Sequence, residues 1–168
     1  PKEGGFILVS NHLSYLDPIA VGTACPRKVS FMAKDTLFNY PFLRGWLKAV
    51  GAIPVKRGAP DLSAIKTAMH NAASGKGLAL FPEGTRRTKE NAFIDPEPGA
   101  GFLADKLNVP VIPALVSGTE DALPRGAKFL RPVKVRVKFG QEIHIERGKP
   151  YREISEAIMA NIKNLAEQ

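Results

Sequence analysis

The sequence predicts an α/β domain in which helices pack on a mixed, partly parallel β-sheet. Three observations predict it. Short apolar runs alternate with segments of helical periodicity over most of the chain. Two of these runs, Gly5–Ser10 and Gly77–Phe81, read as buried strands. Both lead into polar loops, Asn11-His12 and Glu83-Gly84-Thr85-Arg86, and open α/β folds bind ligands beyond the carboxyl ends of their strands.

The remaining elements follow in order. Asp17-Pro18 starts a helix, with Asp17 as N-cap and Pro18 at the first helical position, and the helix runs to Cys25-Pro26. Val29–Ala33 reads as a second strand. Tyr40-Pro41-Phe42 opens a helix in which Leu43, Trp46, Leu47 and Val50 recur at helical spacing, and Gly51 closes it. Ala52–Val55 is a short strand broken by Pro54, hence an edge or irregular one. Asp61 caps a third helix with Leu62, Ile65, Met69 and Ala72 on one face, ended by Gly75. Gly99–Leu107 reads as a helix and Val109–Val116 as a strand containing prolines. Val133–Phe139 alternates Val with Lys and Arg, the mark of a half-exposed strand, and Ile143–Ile145 is expected to pair with it. Ile154, Ile158, Ile162 and Leu165 form one stripe of a final amphipathic helix.

Composition narrows the function classes. A chain of 168 residues, 44% hydrophobic and 24% charged, suits one domain spanning residues 1–168 with its own core. The single cysteine, Cys25, excludes an internal disulfide framework and leaves too few thiols for a zinc cluster; a reducing compartment fits. His12, His70 and His144 are far apart and show no metal-ligand spacing, so no metal is expected. The excess of 24 basic over 16 acidic residues gives a net charge of +8, which points to an anionic partner: phosphate, nucleic acid or an acidic lipid surface. No apolar run is long enough to cross a bilayer. The sequence lacks an initiator Met and opens within a few residues of a strand, so a trimmed chain is expected.

Three constellations carry candidate chemistry. In Asn11-His12-Leu13-Ser14-Tyr15-Leu16-Asp17, imidazole suits a general base near neutral pH, and a carboxylate on its second nitrogen would fix the tautomer and stabilise the imidazolium. The same residues equally describe a loop histidine and a helix cap. Ser14 as nucleophile lacks the strand-to-helix elbow with flanking glycines and reads better as a turn hydroxyl; Cys25 reads as a packed core thiol. In Phe81-Pro82-Glu83-Gly84-Thr85-Arg86-Arg87, glycine lets backbone amides approach an anion, Thr and Arg add donors, and Glu83 could orient Arg86 or accept a bond from a substrate hydroxyl. A polar turn with a surface ion pair is the alternative. Gly51 through Gly58 sets Lys56-Arg57 between glycines at a strand end, a pattern shared by phosphate sites and solvated loops. Finally, Phe38, Tyr40, Phe42 and Trp46 lie beside Lys34, Arg44 and Lys48, which fits either core packing or a membrane interface.

Together these blocks resemble the 1-acylglycerol-3-phosphate acyltransferase family, the PlsC-like acyltransferases. Asn11-His12 through Asp17 is similar to the family's His-x4-Asp motif. Gly51 through Arg57 is similar to its Gly-x-Ile-x-x-x-Arg block. Phe81 through Arg86 reads Phe-Pro-Glu-Gly-Thr-Arg without a mismatch, and Val109 through Ala114 resembles its Val-Pro-Ile-x-Pro block. The four stand in the family's order over residues 11 to 114.

The resemblance implies a glycerol-phosphate acyltransferase-like fold on a membrane face. It implies His12 as general base and Asp17 as its partner, with Arg57, Glu83, Gly84, Thr85 and Arg86 on the glycerol phosphate acceptor and Asn11 and Lys56 in support. The co-substrate is acyl-CoA or acyl-carrier protein; no cofactor, metal or covalent acyl-enzyme is expected. The product is phosphatidic acid, in phospholipid biosynthesis. The enzyme is expected at the cytoplasmic face of a membrane, peripheral or anchored by an N-terminal segment outside this sequence. Pro54, Lys56 and Arg87 depart from residues common in the family, which leaves the headgroup preference open. The competing readings are a sibling acyltransferase for glycerol 3-phosphate, another lysophospholipid or an amino-acid lipid; a thioesterase; and a non-catalytic basic lipid-binding module. A nucleic-acid partner is not expected, because the basic residues are dispersed and lack an aromatic-plus-basic signature.

Overall fold

The fold was described from a computed structural model, which describes residues 1–56 and 61–167. Six strands form one sheet: β1 (Phe6–Ser10), β2 (Val29–Lys34), β3 (Ile53–Val55), β4 (Gly77–Leu80), β5 (Val111–Ser117) and β6 (Arg136–Phe139). Their order is β3-β2-β4-β1-β5-β6. β1, β2, β3, β4 and β5 run parallel, and β6 closes the far edge antiparallel to β5. The mixed, partly parallel sheet expected from the alternation of elements is therefore present.

β1 is the axis of the sheet. All five of its residues are buried, with Ile7 opposite Leu78 on one side and Val111 on the other. Alternation along the strand divides the interior in two. Ile7 and Val9 join Leu78, Leu80 and Val111 in a core covered by α3 (Leu62–Ala73), α4 (Pro98–Leu107) and α6 (Tyr151–Asn164). Phe6 and Leu8 join Ala79, Ala114, Val116 and Val21 on the opposite face, under α1 (Asp17–Ala24). In α6, Ile154, Ile158 and Ile162 are buried as the stripe predicts.

Four local expectations are corrected. The buried face of α3 is Ala64, Ala68 and Ala72, whereas Leu62 and Met69 face solvent. At Ala72 the helix comes very close to the chain just before β1: a Cβ at Gly5 would fall on the Ala72 carbonyl. The regular part of the last strand is shorter than expected, Arg136–Phe139, and is mostly exposed. Ile143 bridges Val111 on β5 rather than pairing with that strand. The N-cap of α1 is Leu16, and Asp17 is already helical. Asp61, in contrast, caps α3 as expected, accepting from the amides of Ser63 and Ala64 at 3.1 Å each.

The parallel arrangement places the carboxyl ends of β1, β2, β3, β4 and β5 on one edge. That edge receives the loop after Ser10, the loop after Leu80 and a short helix, α5 (Thr119–Ala122), after Ser117. α2 (Pro41–Ala49) leaves the same edge from β2 through a 3₁₀ turn at Asp35–Asn39. Among the described residues no helix is long and apolar enough to cross a membrane.

Candidate active site

His12 follows the end of β1 and Asp17 opens α1, and the turn between them folds back on the carboxylate. His12 Nδ1 lies 2.8 Å from Asp17 Oδ2. The backbone amides of Leu13 and Ser14 donate to the same oxygen at 2.6 and 2.7 Å. Asp17 therefore does not cap its helix; its carboxylate organises the turn that precedes it. It is fully buried, a costly place for a charge unless donors surround it, and the first turn of a helix adds a favourable dipole. The contact assigns the imidazole proton to Nδ1 and leaves the Nε2 lone pair available. Among the described residues nothing bonds Nε2, and the His12 side chain keeps 16% of its surface exposed.

The ring is held from below and from behind. His12 stacks on Phe81 with centroids 4.3 Å apart and planes 25° from parallel. Its amide donates to Glu83 Oε2 at 3.2 Å, and its carbonyl accepts from the Arg87 amide at 2.8 Å. The loops after β1 and β4 are thus tied together on both sides of His12.

Asn11 completes the anchoring. Its side-chain amide donates to the Val116 carbonyl at 2.9 Å, and its carbonyl accepts the Val116 N–H at 2.8 Å. Fully buried, it imitates a strand residue and continues the β1–β5 pairing past the last backbone register. Ser14 donates its hydroxyl to the Leu123 carbonyl at 3.2 Å, which fits the turn role and not a nucleophile aimed at His12.

The loop after β4 separates the roles expected of its residues. Glu83 is only 1% exposed, and its second oxygen accepts from the Phe93 amide at 3.2 Å. Each oxygen thus accepts a backbone amide, and Glu83 braces the two loops; among the described residues it makes no bond to Arg86. Burial pushes its carboxyl up to about 7, against the opposing pull of the Phe93 and His12 amides and the Arg87 charge. Gly84 has φ 64°, a left-handed conformation that favours glycine, and turns the chain back toward the site. Thr85 is exposed, and its hydroxyl makes no bond among the described residues. Arg86 stacks its guanidinium over the Tyr15 ring, 3.5 Å from the centroid, which brings a cation to the His12 turn. Lys56 lies at the carboxyl end of β3, three positions along the sheet from β1, roughly 14 Å at the usual strand spacing. Arg57 lies outside the described residues.

One residue of this cluster escaped the sequence reading. Thr119, at the start of α5, is fully buried and donates its hydroxyl to Asp17 Oδ1. It belongs to no recognised block and lies 102 positions from its partner, so nothing local signals it.

Glu83 also gives the fold a pH dependence. Below about pH 4.5 the group is protonated in both states. Between there and about 7 the unfolded chain has released the proton while the folded chain still holds it, so stability falls as pH rises; above about 7 the penalty is complete, at about 3 kcal/mol. Glu83→Gln cannot titrate. Denaturation free energies measured at pH 4.5 and 7.5 are expected to drop further in the wild type than in Glu83→Gln, and equal drops contradict the assignment.

Comparison with known proteins agrees with this arrangement. The family described as "Acyltransferase" matches residues 1–117. The chain is 28% identical over 145 residues to the 1-acyl-sn-glycerol-3-phosphate acyltransferase of Bacillus subtilis, covering 86% of this chain and 69% of that protein. It is 33% identical over 142 residues to a chloroplastic 1-acyl-sn-glycerol-3-phosphate acyltransferase of Brassica napus, covering 82% of this chain but 40% of that protein. The crystal structure of the 1-acyl-sn-glycerophosphate acyltransferase PlsC from Thermotoga maritima superimposes with a TM-score of 0.77 at 25% identity, covering 100% of this chain and 69% of that one. With a family match over residues 1–117 and these similarities to 1-acyl-sn-glycerol-3-phosphate acyltransferases, the chain belongs to the acyltransferase family.

Proposed function

We propose that the chain transfers a fatty acyl group from acyl-CoA or acyl-carrier protein to the free hydroxyl of 1-acylglycerol 3-phosphate, giving phosphatidic acid. The observation that carries this reading is the His12–Asp17 pair at the carboxyl edge of the sheet, with the Arg86 cation held on Tyr15 beside it. The acceptor hydroxyl donates to Nε2 of His12. As its oxygen bonds the thioester carbonyl carbon, the proton passes to Nε2 and Asp17 stabilises the imidazolium. The tetrahedral intermediate then collapses, the C–S bond breaks, and the thiolate leaves with the proton that His12 returns. Arg86, supported by Arg57 and Lys56, holds the acceptor phosphate, and that contact positions the hydroxyl. Gly84 and Thr85 line the approach. The chemistry needs no metal or cofactor.

The acceptor is a lipid, and two exposed segments at the same edge fit an anionic bilayer. On α2, Phe42 is 97% exposed and Trp46 is also exposed, as is Tyr40 at its N-cap, beside Arg44 and Lys48. Between α5 and β6, Phe129 is 83% and Leu130 66% exposed. That second segment carries Arg125, Lys128, Arg131 and Lys134, β6 opens on Arg136, and no acidic residue occurs from 122 to 141. Arg125 ties it to the site by donating to the Arg86 carbonyl at 2.7 Å. Apolar rings suited to the interface and cations suited to the headgroups support a reading in which the catalytic edge docks on the membrane. The expected location is the cytoplasmic face.

Two experiments test these readings. Given an acyl thioester, the protein is expected to release thiol in the presence of 1-acylglycerol 3-phosphate and not with water alone. Arg86→Ala should raise the acceptor's KM by roughly 10-fold or more. A preference for glycerol 3-phosphate or another lysophospholipid would move the enzyme to a sibling activity, and release of free acid without acceptor would make it a thioesterase. Separately, the protein should sediment with anionic vesicles at low salt and remain in solution with zwitterionic ones; failure to sediment with anionic vesicles contradicts the docking edge.

A further inference from the structure

We infer that Thr119 is a positioning residue for the catalytic pair, locking the Asp17 carboxylate in the one orientation that serves His12. The inference rests on the reading of His12 as general base. Its own evidence is the division of labour on Asp17. Oδ2 receives three donors: His12 Nδ1 and the amides of Leu13 and Ser14. Oδ1 has one partner among the described residues, the Thr119 hydroxyl.

A carboxylate held through a single oxygen can pivot about its Cβ–Cγ bond. Pivoting would present Nδ1 with a misaligned lone pair and let the imidazole tilt. Fixing Oδ1 from the far side removes that freedom, because both oxygens are then bonded in the carboxylate plane. The Thr119 hydroxyl has one hydrogen and two acceptors in reach. Glu120 Oε2, at 3.5 Å, is at the limit of bonding, whereas the Asp17 contact is short, so the hydrogen belongs to Asp17.

The fold delivers Thr119 from 102 positions away. β5 runs parallel to β1 and extends three residues beyond the last paired position, Ala114. Asn11 fixes that extension by taking both the N–H and C=O of Val116. Gly118, at φ 85°, then starts α5 and turns Thr119 onto Asp17. Thr119, Asp17 and Asn11 are all buried, so the chain His12–Asp17–Thr119 lies out of reach of water except at the imidazole. Asn11 and Thr119 thus act on one object: the first sets the register of the strand that the second rides on.

The test uses variants of the intact chain and two readouts. Thr119→Val keeps the side-chain shape and removes the hydroxyl, whereas Thr119→Ser keeps the hydroxyl. In the acyl-transfer assay, Thr119→Val is expected to lower kcat on the order of 10-fold with the acceptor's KM unchanged, and Thr119→Ser to restore it. By proton NMR, the downfield resonance of the His12 Nδ1 proton should be sharp in wild type and Thr119→Ser and broadened by exchange in Thr119→Val. If the valine variant does not fold, Thr119→Ala carries the same two expectations. Wild-type kcat with an unchanged resonance in the hydroxyl-free variant overturns the inference, as does failure of Thr119→Ser to restore either readout. A wild-type protein without transferase activity would refute the proposed function, while the resonance would still decide the role of Thr119.

Discussion

The buried carboxylate of Asp17 is the constraint on which the site depends. An ionised group out of contact with water is tolerable only where hydrogen-bond donors replace its hydration. Here a histidine, two backbone amides and a threonine do so, drawn from the turn after β1 and from the start of α5. Meeting that demand dictates the turn between His12 and Asp17. The amides of Leu13 and Ser14 can reach Oδ2 only if the chain wraps over it, and wrapping brings the imidazole to the same oxygen. The His12–Asp17 contact is a by-product of satisfying one buried charge.

The second buried carboxyl, Glu83, plays a different part. It stands one loop away with both oxygens on backbone, and burial holds it near neutrality's edge instead of fully ionised. The two acids differ in their hydrogen bonding: four donors meet Asp17, whereas two backbone amides meet Glu83. The bracing by Glu83, the Arg87 amide on the His12 carbonyl, and the Phe81 ring beneath the imidazole all come from the single loop after β4. That loop also carries Arg86, so one turn both steadies the His12 imidazole and supplies the cation proposed to meet the acceptor phosphate.

Much of this was legible in the sequence where the signal is local. The buried runs of β1 and β4, the Pro18 start of α1, the Asp61 cap and the isoleucine stripe of α6 each follow from neighbouring residues, and each holds. The His12–Asp17 pair was visible as a spacing and gained weight from the ordered blocks around it. What the sequence hid depends on distance or on close packing. Thr119 reaches Asp17 only because β5 lies beside β1. In α3 the buried face is Ala64, Ala68 and Ala72, closely approached at Ala72 by Gly5, while Leu62 and Met69 face outward. The burial of Glu83 between two loops, with a backbone amide on each oxygen, has no trace in spacing. Asp17 looked like a cap because Pro18 follows it, yet its oxygens serve the turn behind the helix and leave the cap to Leu16.

The most direct measurement is acceptor-dependent thiol release by His12→Ala, taken together with its thermal stability. The account predicts a loss of on the order of 10²-fold or more in turnover with the fold retained, since the imidazole stacks on Phe81 at a partly open surface and the turn is held by Asp17 and Glu83 without it. Near-normal transfer by a folded His12→Ala protein would contradict the central claim that His12 takes the proton from the acceptor.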